Sequence, residues 1–147
     1  IALSGSISEG SSVLSAIALG ADFAYVGTKF IATEEANASP GYKQMLIDST
    51  ADDIMYSATF TGVEGNYLRP SVVAAGLDPE EHTSGSKDDM NFSSSAIAKK
   101  DNSSKAWKDI WGSGQGIGAI KKAPSVQEAV DEMVNEFNQA KERLDQF

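Results

Sequence analysis

Residues Ile1 to Glu35 constrain this chain more than any other stretch. Ile1-Ala2-Leu3-Ser4 is short and apolar, Gly5-Ser6 interrupts it, and an Ala-, Leu- and Val-containing run follows to Leu19. Gly20-Ala21-Asp22 then leads into Phe23-Ala24-Tyr25-Val26, which Gly27-Thr28 interrupts in turn. The pattern is strand, polar turn, helix, strand, polar turn. Strands joined through a helix are parallel, because the crossover brings the chain back to the same end of the sheet. Val13, Leu14 and Ile17 share one face of a helix predicted over Ser11–Leu19, and Gly20 is placed to cap it. Phe23–Val26 is apolar enough for a strand buried on both faces.

Each turn sets a glycine and a hydroxyl residue at the C-terminal end of a strand. Glycine lets the main chain approach a ligand closely, and exposed N–H groups there can cradle a phosphate. In (β/α)8 barrels the last two strands often build a phosphate site in this way. The same spacing is also compatible with Gly5 and Gly27 being plain turn glycines.

The segment resembles the C-terminal phosphate-binding region of the nitronate monooxygenase (2-nitropropane dioxygenase) family of flavin-dependent barrels. The residues that carry the resemblance are Gly5-Ser6-Ile7, Glu9-Gly10, Gly20-Ala21-Asp22, Gly27-Thr28-Lys29-Phe30 and Ala32-Thr33-Glu34-Glu35. Ser6 stands where the family pattern has a second glycine, and Lys29 where it has arginine. Serine at that turn requires a negative φ or bears a strain cost. Lysine keeps the charge and loses the bidentate fork. The resemblance continues through Phe60-Thr61-Gly62, Asn66-Tyr67-Leu68-Arg69-Pro70 and Trp111-Gly112-Ser113-Gly114-Gln115-Gly116-Ile117-Gly118.

What the resemblance implies is an α/β fold, the C-terminal portion of a TIM-type (β/α)8 barrel with a helical and loop excursion. The 147 residues are fewer than the roughly 250 of such a barrel, so the barrel is incomplete as given. A start inside a strand, without Met, makes a fragment, a processed chain or a truncated reading frame the expectation. Three segments are expected: 1–60 with the phosphate loops, 61–124 as a loop-rich cap, and 125–147 as a closing helix. The implied cofactor is FMN, with main-chain donors from Gly5, Ser6, Gly27 and Thr28, and Tyr25 and Val26 lining the approach. Gln115 would donate to a flavin carbonyl or phosphate; turn packing is its alternative role.

The implied reaction is oxidation of alkyl nitronates, such as propionate 3-nitronate, with O2. NADH:quinone reductases and enoyl reductases on the same scaffold are alternatives. An IMP dehydrogenase-like barrel is another, which the Gly114-Gln115-Gly116 and Phe60-Thr61-Gly62 segments fit less well. A half-barrel without activity, binding phosphate at most and pairing with itself or a missing N-terminal half, is the non-enzymatic alternative. The family's histidine base comes from earlier strands, so no catalytic residue is expected in this chain. His82, the single histidine, lies among Glu80, Glu81 and Thr83 in a polar stretch and is not assigned that role.

A net charge of −9 and a pI near 4.5 argue against nucleic acid or an anionic membrane as partner. Without cysteine there is no disulfide or thiolate chemistry, and the carboxylates show no metal-ligand spacing. No apolar run is long enough for a membrane span, so a cytoplasmic protein is expected.

Downstream, Ser39-Pro40 starts a helix predicted to Asp48, and Ile54–Phe60 reads as a strand followed by a loop to Asn66. Ser71 is expected to cap a short helix over Val72–Ala75 that Gly76 ends. Asp78–Ser103 is polar and long for a loop, as in a lid or linker. Lys105–Trp111 reads as one or two helical turns with Ala106, Trp107, Ile110 and Trp111 inward. Ser125-Val126-Gln127-Glu128 is a capping box, and Val126, Val130, Met133, Phe137, Ala140 and Leu144 form one apolar stripe. Asp131, Glu132, Glu136, Lys141, Glu142 and Arg143 are expected to face water.

Overall fold

The computed structural model describes residues 1–59, 64–80 and 106–146, with only the main chain of residues 106 and 107. Phe60-Thr61-Gly62, His82, the Trp107 side chain and the stretch 81–105 lie outside the described residues. Contacts divide the chain into two compact units, Ile1–Ala51 with Gly114–Phe147, and Asp52–Ser113. Packing thus joins the first and last lengths of sequence in one unit.

The first unit begins with β1 (Ala2–Ser4), α1 (Gly10–Ala18) and β2 (Phe23–Tyr25). β1 pairs with β2 in parallel, with Ala2 opposite Phe23, Leu3 opposite Ala24 and Ser4 opposite Tyr25. This is the crossover that the alternation of apolar runs and glycine turns predicts. Gly20, at φ +93°, ends α1 in the left-handed region that favours glycine. Phe23 and Tyr25 are 71% and 67% exposed, so β2 is not buried on both faces as its apolar content suggested. The reason is topological: among the described residues this sheet has two strands, and a parallel strand is covered only when neighbours and helices surround it.

The unit continues with α2 (Thr28–Ile31) and α3 (Pro40–Asp48), and closes with the 19-residue α6 (Val126–Leu144). Ser39 caps α3 by accepting from the Tyr42 N–H at 3.2 Å, with Pro40 in its first turn. The capping box of α6 is formed: the Ser125 Oγ accepts from the Glu128 N–H, and the Glu128 carboxylate accepts from the Ser125 N–H at 2.8 Å.

Helix α6 packs along α1. Met133 and Ala140 of its stripe are buried, whereas Val126, Val130 and Leu144 are 37%, 39% and 58% exposed. α1 turns its Gly10 and Ala16 inward, and the bulkier Ile17 remains 48% exposed. Small residues therefore make the closest approach. A Cβ on Gly10 would lie 2.0 Å from the Met133 carbonyl oxygen and 2.3 Å from the Phe137 nitrogen. Glu136 does not simply face water: its carboxylate accepts from the Gly10 N–H at 2.7 Å. Glu132 pairs with Lys29 at 3.3 Å. Helix packing brings these two acids to donors that lie more than a hundred residues away in sequence.

The second unit holds β3 (Ile54–Ser57), β4 (Gly65–Leu68), α4 (Arg69–Ala74) and α5 (Ala106–Asp109). β3 and β4 pair antiparallel, with Ile54 opposite Leu68 and Ser57 opposite Gly65. β4 begins in residues read from sequence as loop. Its Gly65-Asn66 start reads as a turn, and cross-strand bonds override that local preference. α4 starts at Arg69, with Pro70 in its first turn, so Ser71 lies inside the helix rather than capping it. The buried Ser71 hydroxyl donates to the Leu68 carbonyl at 2.7 Å and accepts from the Trp111 N–H at 3.0 Å. Val72 and Ile110 form the core here, with Met55, Tyr67, Ala75 and Leu77 against them. Among the described residues no helix is long and apolar enough to cross a membrane.

Candidate functional site

The parallel register brings the two glycine turns to one edge of the β1–β2 pair. Ser4 lies opposite Tyr25, so Gly5-Ser6 and Val26-Gly27-Thr28 leave the sheet side by side. Gly5 has φ +98° and Ser6 has φ +55°. Serine therefore takes the strained alternative at this turn, at a cost of about 1–2 kcal/mol relative to an unstrained backbone. Two successive residues of positive φ end the extended backbone of β1 after Ser4. The N–H groups of Ser6 and Gly27 have no acceptor among the described residues, and the Thr28 N–H begins α2 without one. Gly5, Ser6 and Gly27 are all exposed at this edge.

The glycine-rich residues from Gly114 onward belong to the same compact unit and reach this edge. The Gly114 N–H donates to the Thr28 Oγ1 at 2.9 Å. Gln115–Ala119 follows as a 3-10 turn, with Gln115 exposed and Ile117 fully buried. A Cβ on Gly116 would sit 2.7 Å from the Ser8 Oγ and 3.2 Å from the Ser6 carbonyl carbon. Glycine is needed there because the chain passes directly over the Ser6–Ser8 loop. No sequence signal announces these contacts, since Thr28 and Gly114 are 86 residues apart.

The remaining candidate residues diverge. The exposed Tyr25 leaves the sheet on one side. The Val26 side chain lines an apolar cleft of about 260 Å³ with Val13, Phe30, Val130, Met133 and Phe137. Val26 can thus serve the turn only through its main chain. Lys29, the residue after Thr28, is 6% exposed and directed toward α6 rather than toward the glycine turns.

A tetrahedral oxyanion suits this edge. Unsatisfied N–H groups act as fixed partial positive charges, and the Thr28 hydroxyl, which accepts from Gly114, keeps its hydrogen to donate.

The chain is 30% identical over 146 residues to a nitronate monooxygenase of Paraburkholderia phytofirmans, an alignment covering 97% of the chain and 39% of that relative. The structure superposes on FabK from Thermotoga maritima with a TM-score of 0.71 at 24% identity, covering 97% of this chain and 45% of FabK. It superposes on a nitroalkane oxidase from Streptomyces ansochromogenes with a TM-score of 0.67 at 24% identity, covering 97% of this chain and 40% of the other. The chain therefore spans about two-fifths of the length of these proteins, and its fold is the corresponding part of a TIM-type barrel. The nitronate monooxygenase family pattern matches residues 1–136. By that match, which runs through both glycine turns and into α6, the chain belongs to the nitronate monooxygenase family.

Proposed function

We propose that this chain is the FMN-phosphate-holding part of a nitronate monooxygenase, an oxidoreductase that acts on alkyl nitronates such as propionate 3-nitronate with O2. The observation that carries the reading is the β1–β2 register, which sets Gly5-Ser6 and Gly27-Thr28 side by side, with the Ser6, Gly27 and Thr28 N–H groups lacking an acceptor among the described residues.

When bound, FMN would supply the electron transfer, and the protein supplies binding and orientation. Ser6, Gly27 and Thr28 donate main-chain N–H groups to the phosphate, with Gly5 shaping the turn. The Thr28 hydroxyl adds a further donor, held in place by Gly114. Tyr25 lines the approach with its exposed ring, Val26 with its main chain, and Gln115 offers an exposed amide to a flavin carbonyl or phosphate. The proton-transfer base belongs to the earlier barrel strands, which would dock on the open β1–β2 pair and its exposed Phe23 and Tyr25. A cytoplasmic location goes with this reading.

The test is an FMN titration of the isotopically labelled chain followed by amide chemical shifts. Saturable shifts at Ser6, Gly27 and Thr28, weakened in Thr28→Val, are expected. Saturating FMN that leaves all three unmoved overturns the reading. Turnover of propionate 3-nitronate with O2, against NADH oxidation with quinone or an enoyl substrate, separates the activities the scaffold supports.

A further inference from the structure

Lys29 has no part in the phosphate cradle, and its surroundings pose a separate electrostatic question. Its side chain is 7% exposed, and its single charged partner among the described residues is Glu132, itself 42% exposed, at 3.3 Å. Charge-assisted N–H···O bonds are ordinarily about 2.7–2.9 Å long. A lysine ammonium carries three donors and no acceptor, and a buried cation is costly unless its donors are met. One long bond to a half-exposed carboxylate leaves most of that requirement open.

Lys29 and Glu132 line a cleft of about 140 Å³ together with Lys121, Lys122, Ala119, Ile120 and Pro124. Three lysines and one glutamate line it, a local excess of positive charge in a chain of net charge −9. The volume equals that of about four to five liquid waters, room for an oxyanion of five heavy atoms. Pro124 and Ile120 give the cleft buried, rigid walls, with Ile120 only 4% exposed.

We propose that this cleft is a second anion site, distinct from the glycine turns, which takes a phosphate-sized oxyanion on the Lys29 ammonium with Lys121 and Lys122 closing over it. The anion would fill the donors that Glu132 leaves unmet, and Glu132 would yield to it as the weaker partner.

The experiment titrates the labelled chain with inorganic phosphate and follows the Lys29, Lys121 and Lys122 side-chain signals and the amides of 119–122. Saturable shifts are expected there. Lys29→Met, which keeps the apolar stem, should weaken them at least about tenfold, the worth of one charge-assisted hydrogen bond. Lys121→Gln with Lys122→Gln, both exposed, should weaken them as well. Glu132→Gln should tighten binding by removing the competing carboxylate. Absence of saturable shifts at these positions overturns the proposal, as does binding unchanged by the Lys121→Gln/Lys122→Gln pair. Phosphate shifts confined to Ser6, Gly27 and Thr28 also overturn it while leaving the FMN reading intact. Shifts at Lys29 together with FMN-insensitive glycine turns would do the reverse.

Discussion

Replacing Gly10 by alanine puts a methyl group into the backbone of α6. The new Cβ would stand 2.0 Å from the Met133 carbonyl oxygen, 2.3 Å from the Phe137 nitrogen and 2.9 Å from the Glu136 carbonyl carbon. All three are main-chain atoms, so no rotamer change relieves the clash. Restoring ordinary contact near 3.5 Å requires α6 to retreat by about 1.5 Å. That retreat opens the packing of α1 against α6 and stretches the 2.7 Å bond from the Gly10 N–H to Glu136. Overpacking of this kind costs about 1–3 kcal/mol, and a hydrogen bond to a charged group is worth about 1.5–3 kcal/mol. Alanine's better helix propensity returns at most about 1 kcal/mol. A net loss of about 2–4 kcal/mol is therefore expected. Urea unfolding followed by circular dichroism at the helix band reads it as a midpoint lowered on the order of 1–3 M. Gly118→Ala is the control, because a Cβ there meets nothing within 4 Å. A Gly10→Ala midpoint equal to that of Gly118→Ala would refute the reasoning.

Two further predictions concern the first turn and the α6 cap. Ser6 is exposed and left-handed, so Ser6→Asn should leave the melting temperature nearly unchanged, while the β-branched Ser6→Val should cost about 1–2 kcal/mol. Equal stability of the two variants would show that residue 6 is not held at positive φ. The Glu128 carboxyl is held below its ordinary range, first by the Ser125 N–H, then by the Ser125 hydroxyl, with Lys122 contributing. Because its folded pKa is depressed, its stabilisation is present above the usual glutamate pKa of about 4.5 and is lost as pH falls through the lower folded value. Thermal melts between pH 6 and pH 3 should therefore fall more steeply for the parent chain than for Glu128→Gln, and parallel curves would contradict the assignment.

Local chemistry made much of this molecule legible. The α6 capping box, the Ser39-Pro40 start of α3 and the Gly20 end of α1 each depend on a few adjacent residues and their hydrogen bonds. They form as the sequence suggests. Strand β4 was not legible, because Gly65-Asn66 carries a turn preference that pairing with β3 overcomes. The same holds for Ser71, whose hydroxyl was expected to cap a helix and instead bridges Leu68 and Trp111 inside one. Asp131, Glu132, Lys141, Glu142 and Arg143 of α6 are exposed as expected, and the half-buried Glu136 departs from that expectation for a related reason. Periodicity tells which side of a helix is polar, but not whether a carboxylate there will meet Gly10 or Lys29.

The order of apolar runs and glycine turns in residues 1–35 was enough by itself to require a parallel crossover with two hydroxyl-bearing turns at one edge. That follows from chain connectivity and the handedness of the polypeptide, which act over a few residues. Only the tertiary structure decided which distant groups complete that edge: Gly114 on Thr28, Gly116 over Ser8, and α6 against Gly10. It also decided that the buried Lys29 side chain meets Glu132 of α6 and not the glycine turns. Those outcomes depend on which surfaces can approach within a few ångströms once helices pack, and no spacing along the chain encodes that distance.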